Sequence, residues 1–181
     1  MHDSTQSNHP YVVLALRAIT FASNHRRFYT VTDDDIARID GKLSPVFVSI
    51  KKAGALRGCI GTTVTFEHSL AAMIAYCASA AALEDPRFLP LKPEELPDID
   101  ISVDILSSFE AIEDLTMLDP KEYGILVKSN GKQGLLLPDL EGIDDAKKQV
   151  AIAMQKAGIN AGESITIQRF FVTRYTSKNH D

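Results

Sequence analysis

Tryptophan is absent from the 181 residues, and cysteine occurs only twice, at Cys59 and Cys77. Two thiols cannot staple a small scaffold, so a disulfide framework is excluded, and both are expected reduced and unbonded to one another. Basic charge is also scarce, with 19 Lys and Arg against 24 Asp and Glu, a net −5. That balance argues against nonspecific nucleic-acid binding, which needs cations to displace counterions from phosphates. No apolar run approaches the roughly 18 residues that span a bilayer. The opening MHDSTQSNHP has no basic stretch followed by an apolar one, so no secretory signal is read and a cytoplasmic location is expected. The five histidines lack ligand spacing, and no metal site is predicted. What is present suits a folded domain: 45% apolar and 24% charged residues set aside disorder and collagen.

Residues 1–9 read as a polar tail, 10–175 as a single domain of two subdomains, and 176–181 as a second tail. Pro10 suits a first helical turn, and Val12, Ala15, Ile19 and Ala22 recur at helical spacing, which predicts a helix over 10–23. A connector follows, in which Asp33 to Asp35 start a short helix carrying Ile36 and Ile39. A strand over 46–51 turns and returns over 56–63. The alanine-rich stretch 66–83 is a helix, ended where Asp85 precedes Pro86. Pro90, Pro93 and Pro97 then keep the chain extended, with a single turn at 94–96. Ile99, Ile101, Val103 and Ile105 alternate with Asp100, Ser102 and Asp104, a half-buried strand with its aspartates toward solvent or on a cleft rim. SNGKQG joins strands at 125–127 and 135–137 as a hairpin. Helix 144–157 is stopped by Gly158, and a final strand covers 165–172, with basic residues at Arg169, Arg174 and Lys178. Without βαβ alternation, this order predicts an α+β fold with a largely antiparallel or mixed sheet. Two lobes sharing a cleft are expected, the smaller built around the middle helix.

Leu56–Arg57–Gly58–Cys59–Ile60–Gly61–Thr62–Thr63 is the densest chemical cluster. Glycines let backbone approach another group, and successive N–H groups there would form an anion-binding nest. Arg57 would lower the pKa of Cys59 and make it nucleophilic. The competing reading is a buried cysteine on a bulged strand. The order GxxxxGK[ST] is missing, as is GxGxxG, so neither a P-loop nor a dinucleotide fingerprint is present. In the second cluster, Asp85 and Arg87 pair with each other, cap the preceding helix or face a ligand, and Phe88 reads as a core anchor. The plainer alternative there is a rigid helix exit. Asp33–Asp34–Asp35 lacks the spaced acceptors of a calcium loop and reads as a solvated face. His68 beside Glu67 points away from it on a helix, which disfavours a shared metal.

LRGCIG, DPRF and GLLLP in this order, with KAGI before the closing strand, resemble the AMMECR-type domain family, including the AmmeMemoRadiSam system protein A group. The likeness extends over about residues 10–175. The chain departs from the family pattern at Asp104, at GIDDAKK where many members carry an acidic–tryptophan segment, and at Met154, where some carry a second thiol. The resemblance implies a two-lobed α+β fold. Its larger lobe holds both chain ends, a smaller lobe contains a helix, and the motif residues line a cleft between them. It also implies work beside Memo-like and radical SAM proteins, and it leaves the reaction and any cofactor unassigned. Two classes of function follow. One is an enzyme or enzyme subunit acting on a small, anionic substrate. Its expected catalytic residues are Cys59 and Asp85, with Arg57, Gly58, Gly61, Thr62 and Arg87 binding substrate. The other is a non-catalytic adaptor for the same partners.

Overall fold

The computed structural model describes residues 9–177. Helix α1 (Pro10–His25) begins where the His9 ring accepts from the Tyr11 N–H, and it ends on a left-handed Arg26. It buries Val12, Ala15, Ile19 and Ala22, the residues its spacing singles out. Helix α2 (Asp33–Arg38) starts at a Thr32–Asp35 capping box. The acidic run is a solvated face at Asp33 and Asp34, which are exposed, but not at Asp35. Asp35 is buried, and it also takes the Tyr29 hydroxyl at 2.7 Å and a hydrogen bond from Arg17.

Strands β1 (Val46–Lys52) and β2 (Ala55–Gly61) form an antiparallel pair, and β3 (Ile99–Leu106) lies on the other side of β1. Helix α3 starts at Leu70 and not at 66, because Ser69 is the extended cap whose hydroxyl accepts from the Ala72 N–H at 3.1 Å. The expected turn at 94–96 is a 3-10 helix over Pro93–Asp98.

Strand β4 (Glu110–Ile112) follows, then the hairpin of β5 (Gly124–Ser129) and β6 (Lys132–Leu136). Its turn is only Asn130–Gly131, both with positive φ, as a two-residue hairpin turn demands. Helix α4 (Ala146–Ala157) is capped by the Asp145 side chain and stopped by a left-handed Gly158. The single closing strand expected over 165–172 is instead two, β7 (Thr166–Phe170) and β8 (Val172–Thr176), and they belong to different sheets.

The fold is α+β with two antiparallel sheets, ordered β2-β1-β3-β8 and β4-β7-β5-β6. The chain divides into two units: it leaves the first at Ile105, builds the second over Leu106–Val172, and returns to the first at Thr173. In the first unit, α1 and α3 cover one face of the sheet, burying Val46, Val48, Ile50, Ile101 and Val103. In the second, α4 packs on Ile125, Val127 and Leu136 through Val150 and Ala153. The smaller unit is therefore built around α4, which corrects the middle helix as its centre. The alanines of α3 serve the larger core, where the helix is enclosed on nearly every side and small side chains permit close approach; eleven residues of α3 are buried.

Candidate functional site

Cys59 lies on β2, an edge strand of the first sheet. Both neighbouring glycines answer to packing. A Cβ on Gly58 would stand 2.3 Å from the Ala81 carbonyl oxygen of α3, and one on Gly61 would stand 2.1 Å from the Phe47 ring. The strand is regular across Gly58–Gly61, with no positive φ and no nest of outward amides. The irregularity falls one residue earlier: Ile50 pairs with Gly58 and Lys51 with Leu56, so Arg57 is the extra residue of a bulge.

That bulge sends Arg57 away from the thiol. Its Nε and Nη2 donate to the two Glu95 oxygens at 3.1 and 2.9 Å, and Nη1 donates to the Leu89 carbonyl at 3.0 Å. These bonds hold the Glu95 carboxyl down to about 2. Arg57 thus ties β2 to the Pro93–Asp98 turn.

The two sequence clusters form one constellation. The Cys59 N–H donates to Asp85 Oδ2 at 2.8 Å. Arg87 grips the same carboxylate through Nε at 2.9 Å and Nη2 at 2.7 Å, and Nη2 also reaches the Cys59 carbonyl at 3.3 Å. A carboxylate and a guanidinium thereby satisfy both outward backbone groups of an edge strand, where a neighbouring strand would otherwise pair. Asp85 is 4% exposed and held at a pKa of about 2, chiefly by Arg87. Phe88 is half-buried and not a core anchor. The Arg57 and Arg87 guanidinium carbons stand 5.9 and 5.5 Å from its ring centre.

On the face away from α1 and α3, Cys59 stands directly across from Ser49, whose hydroxyl donates to the sulfur at 3.2 Å. Ser102 faces Ser49 from β3, and Asp104, paired with Phe47, is the next β3 residue on that face. Of the two alternatives its alternation left open, solvent or a cleft rim, Asp104 does not take the first. It is 1% exposed and gripped by Arg174 of β8, Nε to Oδ1 at 2.7 Å and Nη2 to Oδ2 at 2.9 Å. Burial pushes the half-buried Cys59 thiol above its ordinary pKa, and the charges of Asp104 and Asp85 add to the rise. The Ser49 hydroxyl and the Arg87 charge oppose it without prevailing. The expected lowering by Arg57 is overturned, since that guanidinium is spent on Glu95. Cys77, fully buried on α3, is pushed up to about 12 by burial. The two thiols are free, as expected.

Thr62 donates its N–H to the Val46 carbonyl at 3.0 Å, and its buried hydroxyl has no hydrogen-bond partner among the described residues. Sequence reasoning missed Ser49, and it did not assign Asp104 and Arg174 to the site. Pairing register would have found Ser49, which stands opposite Cys59, and Asp104 on the same face of β3; Arg174 enters only through its grip on Asp104. Among the described residues no three His, Cys, Asp or Glu side chains cluster as metal ligands, and Lys178 lies outside them.

The AMMECR1 family model matches residues 12–180. The chain belongs to the AMMECR1 family. A Thermotoga maritima protein is 44% identical over 172 residues, covering 92% of this chain and 97% of its own length. A Clostridium acetobutylicum protein is 41% identical across 94% of this chain, yet the match covers only 36% of that longer protein. The crystal structure of an uncharacterised Pyrococcus horikoshii protein superimposes with a TM-score of 0.78 at 26% identity, covering 93% of this chain and 90% of that one. This AMMECR1 chain has no helix, among its described residues, long and apolar enough to cross a membrane.

Proposed function

We propose that this AMMECR1 chain is an enzyme or enzyme subunit that takes a small anionic substrate at Cys59, in the cytoplasm, beside Memo-like and radical SAM proteins. One observation carries the reading: the half-buried thiol lies by two buried aspartates, each gripped by two nitrogens of an arginine. The carboxylates are inside and the guanidiniums outside, with 55% of the Arg87 and 43% of the Arg174 side chain exposed. An approaching anion meets the cations first. Anchored guanidiniums also lose little further freedom on gripping a carboxylate or phosphate. The raised thiol pKa favours Cys59 as a substrate contact, an S–H able to donate to the anion while Ser49 donates to the sulfur.

Thermal unfolding with citrate or inorganic phosphate tests this. Either probe is expected to raise Tm for the native chain, and the rise is expected to disappear in Arg87→Ala. No rise with either anion, or an equal rise in the variant, would overturn the reading.

A specific feature favours the adaptor as the second reading. Leu89 is 81% exposed, its carbonyl held by Arg57, and Leu56, next to Arg57 in the chain, is 40% exposed. An adaptor would lose co-purification with a Memo-like or radical SAM partner in Leu89→Asp while the anion-induced Tm rise persisted.

A further inference from the structure

We propose that the second unit carries a separate binding site for a small phosphate ester, at the tip of the β5–β6 hairpin. It does not rest on the role given to Cys59, since every residue involved lies within Leu106–Val172. A cavity of about 390 Å³ opens there, lined among others by Lys128, Asn130, Gly131, Lys132, Ser164 and Thr166. That volume falls in the range of small-ligand sites. In a chain with an excess of acids, this cavity is lined by two lysines and by no carboxylate.

The two lysines differ in commitment. Lys132 Nζ donates to the Gly158 carbonyl at 2.8 Å and to Glu163 at 3.0 Å. Glu163 is itself saturated. It accepts from the Asn160 N–H at 2.8 Å, the Asn160 side chain at 3.0 Å and the Ser129 hydroxyl at 3.2 Å. This knot fastens the hairpin to the 160–163 loop and cancels the charge of Lys132. Lys128 is exposed and has no ion pair among the described residues, so its ammonium is the cation available to a ligand.

Register supplies the rest. Lys128 pairs with Thr166 on β7 and with Gln133 on β6, which sets ammonium, hydroxyl and amide in a row across three strands. Gly134, the next residue after Gln133, is the one that faces α4, so this row lies on the opposite face. A tetrahedral dianion can accept from an ammonium and several hydroxyls at once, and such charge-assisted bonds are the strong ones. A neutral sugar offers no charge for Lys128.

The test is a ¹H–¹⁵N NMR titration of the full chain with glucose 6-phosphate, with glucose and with sodium chloride at matched ionic strength. Saturable shifts are expected at residues 128–133 and 164–166 with the phosphate ester alone. Lys128→Ala should weaken binding roughly ten-fold and Lys128→Arg should retain it. Because Lys128 is exposed, unchanged amides elsewhere will report an intact fold. Equal shifts with glucose or chloride, no shifts up to about 10 mM ester, or undiminished binding in Lys128→Ala would each overturn the proposal.

Discussion

At the scale of the residue, Asp85 is the group that joins the two sequence clusters. Its two oxygens accept from the Cys59 N–H, the Arg87 N–H and two Arg87 guanidinium nitrogens. Asp85→Asn removes the charge and replaces one acceptor by a donor facing donors. Urea unfolding should show a loss of about 1–3 kcal/mol. A change within experimental error would mean that the β2 edge needs no such closure. The ingredients of this arrangement were legible in the sequence, since LRGCIG and DPRF stand out by composition. Their union was not, because it depends on the end of α3 bringing residue 85 to the edge of β2. Arg57 misled for a local reason: a one-residue bulge re-aims its side chain, and no spacing in the text announces it.

At the scale of the element, the two units use the same device. Gly58 lets α3 approach β2, and Gly134 lets α4 approach β6, where an added Cβ would stand 2.0 Å from the Ala153 carbonyl oxygen. Backbone oxygens cannot swing aside as a side chain can, so each Gly→Ala must lift a helix from its sheet. Both variants should lose roughly 1–3 kcal/mol. Hydrogen exchange should then quicken in α3 for Gly58→Ala and in α4 for Gly134→Ala, whereas exchange rates matching the native chain would contradict the packing role. Ser69→Ala, which removes only the α3 cap, should cost about 1 kcal/mol. Helices and hairpin were legible from periodicity, caps and Asn–Gly. The division of the last strand at Phe171 was not, since apolar and polar residues alternate without showing which sheet they serve.

At the scale of the whole molecule, carboxylates held low in the fold set its response to acid. Asp85, Glu95 and Glu163 are each held at about 2, by Arg87, by Arg57, and by the Asn160 N–H with Lys132. In the unfolded chain such groups titrate near 4. Between these values the unfolded state binds more protons, so their stabilisation is complete above about pH 5 and fades as pH falls toward 2. Chemical denaturation across that interval should show stability declining with acid; a flat profile would mean that these pairs stabilise nothing. The family and the α+β class were legible from motifs in order, but the charge layout around Cys59 needed the register of four strands. That layout is tested most directly by alkylating Cys59 with neutral iodoacetamide and anionic iodoacetate at one pH. With Arg87 and Arg174 outermost, the rate ratio of iodoacetate to iodoacetamide should exceed that of a free cysteine and fall toward it in Arg87→Ala, while Cys77 stays unlabelled. A ratio at or below the free-cysteine value, or a Cys59 inert to both reagents, would contradict an anion site at this thiol.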